Sequence, residues 1–252
     1  VTPAERAFDL LEARLTAEVS ERMVELSEAR PGARVLDLAC GTGEPALRLA
    51  RVVGPTGHVL GVDLDAGRVE LARQAAPSWC EFRCGDVARL QAEGPFDAVT
   101  SRWGLSYVRD VGGALASVRG VLAPGAPLVV ALWAGPAEVP WAALPRRVTE
   151  RFVSMPAPPS IARFGDVRDF TQLLVRAGFD VTHLEAHEVS VVEADDADGL
   201  VEWVEVVLSG LAALVPVHRR ADWRRALRDE LGGARTGARY RLGGVTRVVV
   251  AR

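Results

Sequence analysis

The sequence predicts an α/β fold, a mostly parallel sheet covered by helices, and two observations carry that expectation. Short Val/Leu-rich runs of strand length alternate with helical stretches from residue 34 to residue 133, the rhythm of βαβ units. The first run ends in Asp37 and passes through Ala39-Cys40-Gly41-Thr42-Gly43 into a helix, the point at which open α/β sheets bind ligands.

The elements follow in chain order. Residues 3–29 are rich in Ala, Glu, Leu and Arg and place Phe8, Leu11, Leu15, Val19, Met23 and Leu26 three or four apart, which predicts an amphipathic helical segment closed by Pro31-Gly32. Strands are expected at 34–39, 58–62, 80–84, 96–101 and 127–133, with helices at 44–53, 68–75 and 111–122. After Trp133 the rhythm breaks into Gly135-Pro136, Pro140-Trp141 and the proline cluster at 155–159, so an insertion is expected there. A helix at 166–177 starts at a capping Gly165-Asp166 and stops at Gly178. Strands at 179–192 and 240–251 complete the pattern, and 195–231 carries two helical patterns separated near Pro216. The expected organisation is a helical lid at 1–30, a core at 31–134, a lid insertion at 135–165, a continuation of the core at 166–194, a second helical lid insertion at 195–235 and a final core strand at 236–252.

Composition narrows the function classes. The chain has 252 residues, 49% hydrophobic and 25% charged, with 30 basic and 33 acidic residues for a net charge of −3. That balance calls for neither nucleic acid nor an anionic membrane as partner, and the longest apolar runs fall short of the roughly 20 residues that span a bilayer. A soluble, cytoplasmic protein is expected, as monomer or homodimer. Cys40, Cys80 and Cys84 are an odd number, lack further zinc-ligand spacing and are expected to be buried thiols, with no metal bound.

The glycine loop admits two cofactors. Glycines let backbone amides approach a ligand without interference from side chains. Gly41-Thr42-Gly43-Glu44-Pro45-Ala46 also satisfies the G-x-G-x-x-A dinucleotide fingerprint, with Asp63 twenty residues beyond Gly43. An NAD(P)-dependent oxidoreductase is therefore the alternative, although a chain without lysine cannot supply a Tyr-x-x-x-Lys pair. Asp37 tips the balance, because a carboxylate there suits a cationic amine or sulfonium and repels a pyrophosphate. Gly85-Asp86-Val87 adds a carboxylate able to accept from an adenine amino group beside an apolar neighbour that can cover the ring.

Those residues resemble the class I S-adenosylmethionine (SAM)-dependent methyltransferases of the ubiquinone/menaquinone-biosynthesis type, over roughly residues 31–179. Asp37 to Gly43 is similar to that family's D-x-G-C-G-T-G loop, with Ala39 in place of the first glycine. The resemblance implies a Rossmann-like fold of seven mostly parallel strands, the last antiparallel, with helical lids. It also implies a SAM site made by Asp37, Ala39, Cys40, Gly41 and Gly43, by Asp63 on the ribose hydroxyls with Leu64 beside it, by Gly85, Asp86 and Val87 at the adenine, and by Ser101, Arg102 and Trp103 at the methionine end. Pro124-Gly125-Ala126 departs from the usual Pro-Gly-Gly in a turn only.

Trp103, Tyr107, Trp133 and Trp141 lie at or just past the carboxyl ends of the fourth and fifth strands and are expected, with Phe164 from the insertion, to line an acceptor pocket. Trp103 can also offer its face to a sulfonium. Phe152 and Trp203 belong to insertions that could close over an acceptor. No general base stands out: His183 and His187 share a strand face with a structural role expected, Glu185 and Glu188 are expected to be solvated, and His58 and His218 sit away from the site. The expected function is methyl transfer to a small aromatic or polyketide-like metabolite in bacterial secondary metabolism, with O-, N- and C-methylation open. A SAM-binding protein without methyl transfer is a further alternative.

Overall fold

The computed structural model describes residue 8, residues 11–155 and residues 163–252. Prolines 156, 158 and 159 and most of the first ten residues, on which part of the sequence reading fell, lie outside the described residues.

The chain divides into two compact units, one of Ala17–Trp133, Ser160–His187 and Thr246–Arg252 and the other of Val1–Thr16, Ala134–Pro159 and Glu188–Val245. The first is the sheet unit. Helix α1 (Ala17–Leu26) leads into β1 (Arg34–Leu38), α2 (Ala46–Val53), β2 (His58–Asp63), α3 (Ala66–Ala75), β3 (Cys80–Cys84), β4 (Ala98–Arg102), α4 (Val111–Val121) and β5 (Leu128–Trp133). Helix α6 (Val167–Arg176) precedes β6 (Val181–Ala194), and β8 (Arg239–Ala251) ends the chain. The strand order is β3-β2-β1-β4-β5-β8-β6, and the two-residue β7 (Arg235–Thr236) pairs with β8 to make eight strands in all. The first five strands pair in parallel, whereas β8 runs antiparallel to β5 with Leu128 opposite Ala251.

Strand side chains alternate between the faces. Leu36, Leu38, Val99, Val130 and Leu132 meet Leu115 and Val118 of α4 and Phe170 and Leu174 of α6 in one core. Val35, Val59 and Ala98 meet Leu49 and Val53 of α2 and Val69 and Ala72 of α3 in another. A sheet buried on both faces explains why these strands are apolar throughout. Asp65 caps α3 by accepting from the amides of Gly67 and Arg68, and Asp110 and Asp166 cap α4 and α6 in the same way.

The helical unit contains α5 (Pro140–Glu150), α7 (Ala197–Val207), α8 (Ser209–Leu214) and α9 (Arg220–Leu231). Helix α9 packs on α5 and α7. Trp223 is fully buried and donates its indole N–H to Thr149 Oγ1 at 3.0 Å, while Trp141 meets Trp203 edge to face with centroids 6.1 Å apart. Two helical patterns were expected between the last strands; the structure has three helices, because the chain turns at Leu208 as well as at Pro216. The N-terminal segment likewise is not one helix. Thr16 Oγ1 returns to Glu12 O at 2.7 Å, and the pattern is interrupted there before α1.

Candidate cofactor site

The loop after β1 is built from backbone bonds. Cys40 N donates to Val62 O at 3.2 Å, tying the loop to β2, and Gly43 N donates to Cys40 O at 2.9 Å. Gly41 and Gly43 both have positive φ, 54° and 109°, which a side chain would resist. Their surroundings differ. A Cβ at Gly43 would lie 2.8 Å from Leu47 Cδ1, whereas one at Gly41 would meet nothing closer than Arg68 Nη1 at 3.9 Å. Gly43 therefore lets α2 close on the loop, while the space beside Gly41 Cα is open.

Asp63 stands at the end of β2 and is joined to this loop: Oδ2 accepts from Gly41 N at 2.8 Å and Oδ1 from Asp65 N at 2.9 Å. Leu64 beside it is 74% exposed, an apolar side chain held out at the same strand end. Behind the loop, Gly61 in mid-strand makes room for Phe82, which would lie 2.4 Å from a Cβ there, and for Cys40 Sγ at 3.0 Å. The sequence reading missed Phe82 as a support of the loop. A glycine inside a buried strand was the available signal.

Asp37 is fully buried. It shares a face with Val35, lies opposite Thr100 in the β1–β4 register and accepts from Thr100 Oγ1 at 2.6 Å. Its other oxygen, Oδ2, has no hydrogen-bond partner. Burial pushes its pKa up to about 7, against the Thr100 hydrogen bond, the Arg102 charge and the Ala46 amide at the start of α2, which all favour the carboxylate. A buried acceptor with an open valence, below a loop that also holds the Asp63 carboxylate, suits a cationic ligand and opposes a pyrophosphate.

The other two strand exits frame the same end of the sheet. Gly85 N donates to Asp63 O at 2.9 Å, and exposed Asp86 accepts from Ala88 N with Oδ1 at 2.9 Å. Val87 is 5% exposed and belongs to the core. At the exit of β4, Ser101 Oγ donates to Leu38 O at 3.0 Å, Arg102 donates to Ser20 Oγ at 3.2 Å and its guanidinium lies 4.6 Å from the Trp103 ring. Trp103 has a left-handed backbone, φ 62°, stacks on Trp133 at 4.5 Å and donates its indole N–H to Thr246 Oγ1 at 2.8 Å.

The five residues expected to line an acceptor pocket have different surroundings. Trp103 and Trp133 are stacked and buried, Tyr107 is 61% exposed on the turn after β4, and Phe164 is buried edge-on against Phe170 in the core. Trp141 belongs to the helical unit, as do Trp203 and Phe152, the latter under Arg219 at 5.0 Å.

Glu185 is not a solvated charge. On β6 it lies between His183 and His187 on one strand face, with His183 Nε2 at 2.8 Å and His187 Nε2 at 3.0 Å, and it accepts from Arg22 Nε at 2.8 Å. The Arg22 hydrogen bond, with help from both histidines, draws its pKa down to about 2. Alternation along a strand explains the cluster, because residues two apart share a face. The thiols also divide: Cys40 and Cys80 are buried, and burial raises both, Cys80 to about 12, but Cys84 is exposed, at the strand's open end. Among the described residues no group of three His, Cys, Asp or Glu could hold a metal ion, and no helix is long and apolar enough to cross a membrane.

This strand order, with a glycine loop after β1 and acids after β2 and β3, defines the fold class of the SAM-dependent methyltransferases. Residues 35–125 match the family model described as a methyltransferase domain. A 2-phytyl-1,4-naphtoquinone methyltransferase from Trichormus variabilis is 41% identical over 114 residues, 42% of this chain and 49% of that protein. The chain thus spans about half the length of the curated relatives it matches. Among solved structures, the YcgJ protein of Bacillus subtilis aligns with a TM-score of 0.63 at 16% identity over 93% of this chain and 97% of its own. The [4+2]-cyclase SpnF aligns with a TM-score of 0.60 at 22% identity over 93% and 80%. At those identities the two structures attest the fold.

Proposed function

We propose that the chain is a SAM-dependent methyltransferase that methylates a small aromatic or polyketide-like metabolite in bacterial secondary metabolism. The observation that carries this reading is the bond from Gly41 N to Asp63 at 2.8 Å, which joins the open glycine loop to the acid at the end of β2 within the matched domain. The names of the quinone methyltransferases that share the domain support an aromatic acceptor.

The residues present fit the cofactor. Asp63 would hold the ribose, Leu64 and Asp86 the adenine, and the backbone of Gly41 and of residues 101–103 the methionine end. Asp37 is sealed under the loop, so it would act on the amine through its charge and through the loop it supports, not by contact. When bound, the sulfonium supplies an electrophilic methyl group. The chain's task is then to align a nucleophile at about 3 to 3.5 Å and to keep water away. Trp103, stacked on Trp133 with Arg102 over its ring, would act by fixing the turn after β4 at the methionine end and not by offering a free face to the sulfonium.

Calorimetry with S-adenosylhomocysteine (SAH) and with NAD(H), followed by SAH-release assays on phenols and quinols, tests the proposal. Binding of SAH, no binding of NAD(H), and turnover of an aromatic acceptor are expected. Binding of NAD(H) without SAH would establish the oxidoreductase alternative, and SAH binding without turnover across the panel would establish a SAM-binding protein that transfers no methyl group.

A further inference from the structure

Ala39 stands where the resembling family has glycine, and its backbone is left-handed, φ 52°. For a residue with a Cβ that conformation is strained. Its methyl group lies against Gly104, the residue after Trp103. A Cβ on Gly104 would lie 2.2 Å from Ala39 Cβ, and the next nearest atoms are Ala39 O at 3.3 Å and Ala39 Cα at 3.4 Å. The space between the two backbones therefore holds one methyl group from either side, but not two.

The walls of that space are both fixed. On one side the loop is tied to β2 through Cys40 N and to Asp63 through Gly41 N. On the other side Trp103 N donates to Ala131 O at 2.8 Å, its indole N–H is held by Thr246, and Thr246 Oγ1 is itself anchored to Leu132 O at 3.0 Å. Trp103 is also left-handed, so the turn it opens is held in its shape by these contacts against its own backbone preference.

We infer that Ala39 and Gly104 form an interlocked steric pair that sets the gap between the glycine loop and the turn after β4, which makes Ala39 a positioning residue for the methionine end of the cofactor. The inference rests on the proposed SAM reading, because that is what gives the gap an occupant. The tight packing of interiors explains how one methyl group can matter: a spacer between two rigid walls transmits its size to both.

Exchange of the two residues tests it. SAH affinity by calorimetry and thermal stability are measured for the wild type, Ala39→Gly, Gly104→Ala and the double exchange. Gly104→Ala places two methyl groups in space for one and is expected to weaken SAH binding by more than about tenfold and to lower the melting temperature. Ala39→Gly leaves the gap unfilled but suits the positive φ, so a loss of about three- to tenfold in affinity is expected with no fall in melting temperature. The double exchange returns a single methyl group to the gap and should bind within about threefold of the wild type. If the double variant is no better than Gly104→Ala, or if Ala39→Gly binds SAH as tightly as the wild type, the inference is overturned. Failure of the underlying cofactor reading looks different: the wild type itself would not bind SAH. In that case a melting temperature restored by the exchange would keep the steric pair while removing its assigned purpose.

Discussion

Each of the two units has its own means of internal cohesion. In the sheet unit, two apolar cores on opposite faces of a parallel ladder fix the strand ends that carry Gly41, Asp63 and Asp86. In the helical unit, stability is concentrated in a few large residues and in ion pairs along helix surfaces: Trp223 on Thr149, Trp141 on Trp203, Arg147 with Glu230, Arg224 with Glu205 and Arg228 with Asp198. Exposed ion pairs of that kind contribute little each, so burial of the tryptophans together with Val148, Leu200, Val204, Leu227 and Leu231 stabilises the helical unit. The lesson is that precision and bulk packing are allotted to different parts of the chain. Backbone geometry at strand ends frames the candidate site, while the helical unit is built from side-chain packing around its tryptophans.

The largest effects should expose that contrast. Trp223→Ala and Phe82→Ala each remove a fully buried aromatic and should each cost about 3–5 kcal/mol, as read by calorimetric unfolding. They should part company in SAH binding. Phe82 supports Gly61 and Gly43, so its loss should weaken binding by about tenfold or more, whereas Trp223→Ala should leave it within about threefold. Equal losses of affinity would break the proposed division. Next in size is Asp63→Ala. It removes an acceptor from Gly41 N and the proposed ribose ligand together, and should weaken SAH binding by about 10- to 100-fold with a loss of stability near 1 kcal/mol. Unchanged affinity would mean that the ribose lies elsewhere.

How much of this was legible depended on whether local pattern or long-range packing decided the outcome. The strands of the sheet unit were readable because their apolar runs are short and bounded by glycine, proline and capping acids, so β1 to β5 fall within a residue or two of where the sequence put them. Asp63 could be placed at a strand end by spacing, but its bond to Gly41 could not, because that requires β1 and β2 to lie side by side in a particular register. Asp37 was expected to face a cation. Its burial opposite Thr100 follows from strand alternation, which puts Val35 and Asp37 on the face that α2 covers. Glu185 was misjudged as solvated for a comparable reason: its partner Arg22 lies 163 positions away in sequence. The aromatic residues were the least legible, since a tryptophan suits a pocket wall and a core equally well until its indole N–H has a partner.

Asp37 allows the comparison to be sharpened through pH. Its pKa is raised in the folded protein, from 3.8 to about 7, so the folded state holds its proton more firmly than the unfolded chain does. The associated stability is present in full below pH 3.8 and is lost as pH rises toward 7. Asp37→Asn, which keeps the shape and can still accept from Thr100, should therefore gain most over the wild type at pH 8 and least at pH 4, a difference of a few degrees in melting temperature. Its SAH affinity should fall at the same time, because the charge proposed to favour the amine is gone. A variant that is more stable and also binds SAH equally well would show that Asp37 is structural only.

The smallest effect is expected at Glu185, on the far edge of the sheet unit. Its pKa is lowered from 4.5 to about 2 by Arg22 and the two histidines, so it contributes stability above pH 4.5 that is lost as pH falls through about 2, the opposite sign to Asp37. Its side chain is 22% exposed and its partner Arg22 35%, so screening limits the contribution. Glu185→Gln should cost about 1 kcal/mol or less at pH 7, less still in high salt, and nothing below about pH 2. SAH affinity should not change. A loss of SAH affinity at pH 7 in this variant would instead show that the β6 edge and its bond to α1 are coupled to the cofactor end of the sheet, and the site could no longer be confined to the strand ends around Gly41.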